Sequence, residues 1–274
     1  MDTLNTVSDR VSKLLIIAGS DSGGGAGIQA DLKTASAFGV YGATALTAVT
    51  AQNTVGVQAV QLLDPPLVHE QIQSVISDIP VDAVKIGMLG NAAIITAVAQ
   101  ALSGYDGPVV LDPVMVAKSG DTLLADDAIA ALIRHLLPRA DLLTPNLPEA
   151  AALLATSPAQ TSEQAQTQAR QLLDLGARAV LLKGGHGQGP LCRDLLVEPQ
   201  QTAIYEANRQ ETRNTHGTGC SYSAAIASEL AKGHSLDAAV GRAHLWLQKA
   251  IARADALGVG AGQGPVHHFH EIWT

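Results

Sequence analysis

The chain predicts an α/β fold in which helices cover both faces of a mostly parallel sheet. Three observations carry that expectation. Short apolar runs of strand length alternate with helical stretches along most of the sequence. The composition is 47% hydrophobic but only 3% aromatic, with Ala, Val, Leu and Gly dominant, which suits helices packed closely on a sheet buried on both sides. Strand-like runs end in polar, Gly-rich or Pro-rich turns, and ligands of open α/β sheets bind at such carboxyl ends.

Taken in order, residues 13–18 form an apolar run and read as a first buried strand. Residues 25–38 read as a helix, 41–52 as a β-rich stretch and 57–63 as a short strand. Helical and strand patterns then alternate: helix 67–76, strand 83–86, helix 92–102, strand 109–111, helix 125–136, strand 141–144, helix 164–175, strand 179–182. Residues 192–197 and 202–205 resemble the arms of a hairpin, and two long helices, 219–231 and 236–257, follow. No internal repeat, low-complexity tract or linker interrupts the pattern, so a single domain over 13–274 is expected behind a flexible polar extension over 1–12.

The net charge of −8 and the lack of any Lys/Arg block argue against nucleic acid or an anionic membrane as partner. The two cysteines, Cys192 and Cys220, form no Cys-x-x-Cys pair and no disulfide framework. The polar N-terminal stretch lacks the basic-then-apolar order of a signal peptide, and no apolar run reaches the roughly 18 residues of a membrane span. A cytoplasmic location is the expectation.

The most informative segment is Asn214-Thr215-His216-Gly217-Thr218-Gly219-Cys220, which opens a small-residue helix. Glycines there let the backbone approach a ligand, and the unpaired first N–H groups of the helix make an anion site. Cys220 lies at the same terminus, where a thiol pKa tends to fall, and is a candidate base. The ordinary explanation is helix punctuation followed by a buried, inert cysteine.

The first glycine cluster, Gly19 to Gly27, is not a Walker loop because no Gly-Lys-Ser/Thr follows. Gly25-Ala26-Gly27-Ile28-Gln29-Ala30 fits G-x-G-x-x-A, but no acidic residue stands between Asp31 and Asp64 to hold a ribose, so a dinucleotide site loses its support. Asp31 projects from the next helix, where the alternative is a solvated carboxylate. Asn146 and Glu149, three apart after a strand, suit a water-rich Mg²⁺ site and equally a helix capping box. Lys118 sits in a polar loop that a phosphate would suit, although exposed loop lysines are commoner. His267, His268 and His270 lack a companion ligand at suitable spacing and are read as structural.

These segments, with Thr50-Ala51-Gln52-Asn53-Thr54, Lys85-Ile86-Gly87-Met88-Leu89, Ala117-Lys118-Ser119-Gly120-Asp121, Thr144-Pro145-Asn146-Leu147-Pro148-Glu149-Ala150 and Lys183-Gly184-Gly185-His186, resemble in order the hydroxymethylpyrimidine/phosphomethylpyrimidine kinases of thiamine biosynthesis. The likeness spans nearly the whole chain. It departs mildly at Asp21-Ser22-Gly23-Gly24, where many relatives have Asp-Pro-Ser-Gly.

The resemblance implies a three-layer α/β/α ribokinase-like fold with a central mostly parallel sheet. It implies ATP and Mg²⁺ as cofactors and two successive phosphorylations of 4-amino-5-hydroxymethyl-2-methylpyrimidine, first on the hydroxymethyl group and then on the monophosphate. By the same resemblance Gln52 binds the aminopyrimidine, with Gly19, Asp31, Met88 and Val114 lining its pocket. Lys183, Thr215, His216, Gly217, Thr218 and Gly219 serve ATP and its transferring phosphoryl group, with Lys118 a further phosphate contact. Asn146 and Glu149, with Asp112, organise Mg²⁺, and a homodimer is expected. Two rivals are a pyridoxal or pyridoxine kinase of the same fold and a cysteine hydrolase pairing Cys220 with His216 or His186.

Overall fold

The computed structural model describes residues 10–115, 126–185 and 189–273. Its centre is one nine-stranded sheet. The strands are β1 (Lys13–Asp21), β2 (Tyr41–Gln52), β3 (Val57–Leu62), β4 (Ala83–Ile86), β5 (Val109–Leu111), β6 (Leu142–Leu143), β7 (Val180–Leu182), β8 (Leu191–Val197) and β9 (Thr202–Asn208). Their spatial order is β3-β2-β1-β4-β5-β6-β7-β8-β9. The pairings from β2 through β7 are parallel, while β3, β8 and β9 add antiparallel strands at the two edges.

The helices are α1 (Gly27–Ala37), α2 (Pro65–Asp78), α3 (Ala92–Ala101), α4 (Asp126–His135), α5 (Leu147–Leu153), α6 (Ser162–Asp174), α7 (Thr218–Ala231) and α8 (Leu236–Ala252). They divide between two apolar cores, as the period-2 side-chain alternation of a strand requires. Leu15 and Ile17 of β1 and Val84 and Ile86 of β4 join the core beneath α2 to α6. Leu14, Ile16 and Ala18, with Ala83, join the opposite core beneath α1, α7 and α8. This is the expected three-layer α/β/α arrangement.

Two element boundaries differ from the sequence expectation. Residues 147–153 form a helix, α5, that alternation did not mark, although its capping box was legible. The last helix ends at Ala252, and a separate 3-10 turn covers Ala254–Leu257 before a left-handed Gly258. The tail then folds back, with the His267 N–H donating to the Ala250 carbonyl at 3.0 Å.

The chain runs from β1 to β2 on one side and later returns to place β4 on the other, so β1 and β4 meet at a reversal of strand order. A crevice forms at such a point in α/β sheets. Among the described residues, no helix is long and apolar enough to cross a membrane.

Candidate active site

A single cavity of about 820 Å³ opens over the carboxyl ends of β1, β2, β4, β5 and β7, under the N-terminus of α7. It gathers most of the residues singled out in the sequence.

The anion end is built on α7. Gly217 caps the helix with φ +75°, a left-handed conformation that favours glycine. A Cβ there would lie 1.8 Å from the Gly25 carbonyl oxygen, so this position also brings the two glycine loops into contact. The first-turn N–H groups have no helical acceptor and carry the positive end of the helix dipole. Thr218 Oγ1 donates to the Thr215 carbonyl at 2.7 Å, fixing the turn before the helix.

Lys183 follows β7 and reaches this end. Its ammonium donates to Asp112 Oδ1 at 2.7 Å, and a Cβ on Gly219 would stand 3.2 Å from it. Burial disfavours its charge, but Asp112 and Glu149 outweigh that effect and raise its pKa, so Lys183 is a fixed cation. Asp112, at the end of β5, also accepts from Thr144 Oγ1 at 3.1 Å. Burial pushes Asp112 upward, yet Lys183 and Lys85 hold it below the usual carboxylate range.

Asn146 and Glu149 form a complete capping box. The Asn146 N–H donates to Glu149 Oε2 at 2.8 Å, and the Glu149 N–H donates to Asn146 Oδ1 at 2.9 Å. Both side chains nevertheless line the cavity. Burial raises Glu149 to about 7, against the pull of Lys183. A buried carboxylate raised in this way would be eased by a cation. Among the described residues no group of three or more His, Cys, Asp or Glu is placed to cage a metal. Asp112, Asn146 and Glu149 all line the cavity and offer oxygen donors, a set that suits an ion such as Mg²⁺, which keeps its waters and leans on one or two carboxylates.

Gly19, Met88, Val114 and Gln52 line the same cavity, with Gln52 Nε2 3.4 Å from His216 Nε2, one residue before the Gly217 cap of α7. Gly19 sits at an irregularity of β1 between Ala18 and Ser20, and a Cβ there would be 2.7 Å from Met88 Sδ. Gln52 closes β2, held near Thr50 Oγ1 at 3.1 Å. Cys220, in the first turn of α7, also faces the cavity. Its thiol does not follow the simple helix-terminus expectation. Burial pushes it up to about 11, against the pull of Lys85 and the Gly27 amide.

One expected contact is corrected. Asp31 does not line the cavity: it is fully buried, and its Oδ2 accepts from Lys85 Nζ at 2.7 Å. The face of α1 carrying Asp31 turns into the core rather than toward a ligand or solvent. Burial raises Asp31 to about 6 despite Lys85, which leaves it ionised at neutral pH. Lys85 remains charged, its pKa lifted by Asp31 against burial. His216 lines the cavity, with its ring 2.8 Å from Asp21 Oδ2 and 3.4 Å from Gln52 Nε2. Lys118 and His186 lie outside the described residues.

The sequence reading missed Lys85, which lies directly beneath the cavity floor. A lysine inside the four-residue buried strand Ala83–Ile86 was the available signal, because buried charges are rare unless paired. It also missed Asp21, whose carboxylate accepts from the loop N–H groups of Gly23, Gly25 and Ala26 at 2.8, 3.1 and 2.8 Å. Asn208 at the end of β9, Arg209 and Gln210 after it, and Leu247 and Ile251 of α8 also line the cavity. No local pattern marked them.

A family profile described as phosphomethylpyrimidine kinase matches residues 21–267. A hydroxymethylpyrimidine/phosphomethylpyrimidine kinase of Rhizobium meliloti is 53% identical over 259 residues, covering 94% of this chain and 97% of the relative. That of Escherichia coli is 50% identical over 260 residues, covering 94% and 98%. Among solved structures, a Bacillus subtilis pyridoxal kinase in complex with ADP superposes with a TM-score of 0.89 at 36% identity, covering 97% of this chain and all (100%) of the other. A phosphomethylpyrimidine kinase of Clostridium difficile superposes with a TM-score of 0.78 at 41% identity, covering 88% and 100%.

Proposed function

The chain belongs to the phosphomethylpyrimidine kinase family, and from that premise we propose how its residues divide two successive phosphoryl transfers from ATP. The first acceptor is the hydroxymethyl group of 4-amino-5-hydroxymethyl-2-methylpyrimidine, and the second is the phosphate of the resulting monophosphate. The observation that carries the reading is one cavity lined by the Gln52 amide with Met88 and Val114, by the Lys183 ammonium, and by Cys220 in the first turn of α7.

Gln52 takes the aminopyrimidine edge, since a carboxamide donates and accepts side by side. Gly19, Met88 and Val114 supply the wall around the ring. Lys183 and the backbone from Thr215 through Gly219 bind the phosphates, and the α7 N-terminus faces the charge that grows on the transferring group. Asp112, Asn146 and Glu149 would hold Mg²⁺. When bound, that ion neutralises phosphate charge.

In the first transfer the substrate hydroxyl oxygen bonds to the terminal phosphorus of ATP. The bond to the leaving diphosphate oxygen breaks, and the hydroxyl proton passes to the Cys220 thiolate. Lys85 beneath the site favours that thiolate. The second acceptor is an ionised phosphate oxygen and needs no base. The same reading makes the protein a cytoplasmic homodimer. Exposed Val49, Val55 and Val60 around the β2–β3 hairpin support it by offering apolar surface to a second copy.

The likeness to pyridoxal kinases favours a second, slower activity on a ring of similar size bearing a hydroxymethyl group. A cysteine hydrolase fits poorly, because the chain matches a kinase family over residues 21–267. Incubation with MgATP and either the hydroxymethylpyrimidine or pyridoxine, with products resolved by mass, tests the assignment. Sequential mono- and diphosphate of the pyrimidine, with pyridoxine much slower, is the expected result. Efficient pyridoxine phosphate without pyrimidine diphosphate would reassign the enzyme.

A further inference from the structure

A carboxamide reads a heterocycle edge correctly in only one of its two orientations. A half-turn exchanges donor for acceptor with almost no change in shape. What holds Gln52 one way round therefore bears directly on which ring the site accepts, and the hydrogen-bond count around it supplies an answer.

The count begins at Asp21. Its Oδ1 accepts the Gly23 N–H, and its Oδ2 accepts those of Gly25 and Ala26. Burial works against its charge, but His216 and these amides hold Asp21 below the usual carboxylate range, so it is an anion. His216 Nε2, 2.8 Å from Asp21 Oδ2, must then carry hydrogen. Placing the amide nitrogen of Gln52 3.4 Å from that same ring nitrogen sets donor against donor. An amide oxygen in that place gives the His216 N–H a second acceptor.

The other end of Gln52 gives the same answer independently. Thr50 Oγ1 lies 3.0 Å from the Ser20 carbonyl and 3.1 Å from the Gln52 amide. A carbonyl can only accept, so it takes the single hydroxyl hydrogen of Thr50. The hydroxyl oxygen is left as an acceptor, and the group that suits it is the amide nitrogen. Turning the Gln52 amide by half a rotation removes both conflicts at once.

We infer that Asp21 and His216 at one end, and Thr50 with the Ser20 carbonyl at the other, lock Gln52 with its oxygen toward His216 and its nitrogen toward Thr50. His216 is thereby a specificity-determining positioning residue. The locked amide offers a ligand one acceptor on the His216 side and one donor on the Thr50 side. An aminopyrimidine matches this pair, with its exocyclic amino group toward His216 and its ring nitrogen toward Thr50. A 4-oxo pyrimidine presents an accepting oxygen and a donating ring N–H, and meets two mismatches. The inference rests on the reading that Gln52 contacts the substrate ring.

The test compares kcat/KM for the 4-amino substrate and its 4-oxo counterpart in wild type, His216→Leu, His216→Gln and Thr50→Val. Wild type should prefer the amino compound by about 10³-fold or more, because a mismatched ring leaves buried polar groups unpaired. His216→Leu and Thr50→Val each release one end of the amide. In each the preference should narrow by about tenfold or more, and in Thr50→Val the KM for ATP should stay near its wild-type value. His216→Gln returns an N–H at similar reach and should keep the preference. Equal losses on the two ring substrates in both releasing variants would overturn the lock. Should His216→Leu fail to fold, Thr50→Val decides alone. A wild type inactive on the amino compound would instead overturn the functional assignment itself.

Discussion

Cys220 carries opposing tendencies within one side chain. It opens α7, next to Lys85, yet burial lifts its thiol to about 11. Below that value the thiolate fraction grows about tenfold per pH unit. The first transfer should therefore accelerate as pH rises through the neutral and mildly alkaline range, and the second should not follow it. Rate profiles on hydroxymethylpyrimidine and on its monophosphate make the comparison. Replacing Cys220 by Ala should cost the first transfer about 10²- to 10⁴-fold, the usual worth of a positioned base, and the second far less. Equal losses in single-turnover assays would make Cys220 architectural. Several of these residues were legible because they follow strands as polar interruptions: Gln52, Asp112, Lys183. Asp31 was named but given the wrong neighbours, and the ring contacts of His216 were not foreseen. Which face of α1 meets the sheet, and where the loop before α7 points, depend on packing partners far along the sequence. Asp31 meets Lys85, 54 residues away, and His216 meets Asp21, 195 residues away.

At the scale of elements, α1 and β4 are joined through their cores by a charged pair. Lys85 and Asp31 have no exposed side-chain surface, and their 2.7 Å contact links a helix to a central strand. Removing one partner strands the other charge away from water. Asp31→Asn or Lys85→Met should each destabilise the fold by about 3–5 kcal/mol, read from urea unfolding midpoints with slopes checked for two-state behaviour. The double variant Asp31→Leu/Lys85→Met should recover much of that loss, because a neutral apolar pair leaves no buried charge. Recovery absent from the double variant would mean that the groups act separately. Strand-by-strand alternation was readable because buried parallel strands are short apolar runs bounded by turns. The seven residues of α5 were too few to show a helical period, and only the Asn146/Glu149 cap betrayed them. The break after Ala252 escaped notice because the pattern stays compatible with helix while the returning tail sets the actual end.

For the whole molecule, the sites proposed for the two substrates lie in one cavity of about 820 Å³. Each ligand should therefore raise the melting temperature alone, and the two together should raise it further. At a concentration one hundred times its Kd, a ligand adds about 2.7 kcal/mol. A combined shift no larger than the greater single shift would place both ligands at one end. The cavity walls also come from widely separated parts of the chain. Gln52 and the first glycine loop stand near the beginning, whereas Gly264 and Val266 flank His216 through a backbone pair from the far end, its N–H reaching Gly264 at 3.0 Å. During synthesis the ribosome releases the pyrimidine end of the cavity first and its backing last. Much of the sheet can assemble while His216 still lacks the segment that braces it. A message truncated just past α8 should therefore yield a nearly complete scaffold with impaired discrimination, because His216 would lack its pairing with residues 264–266.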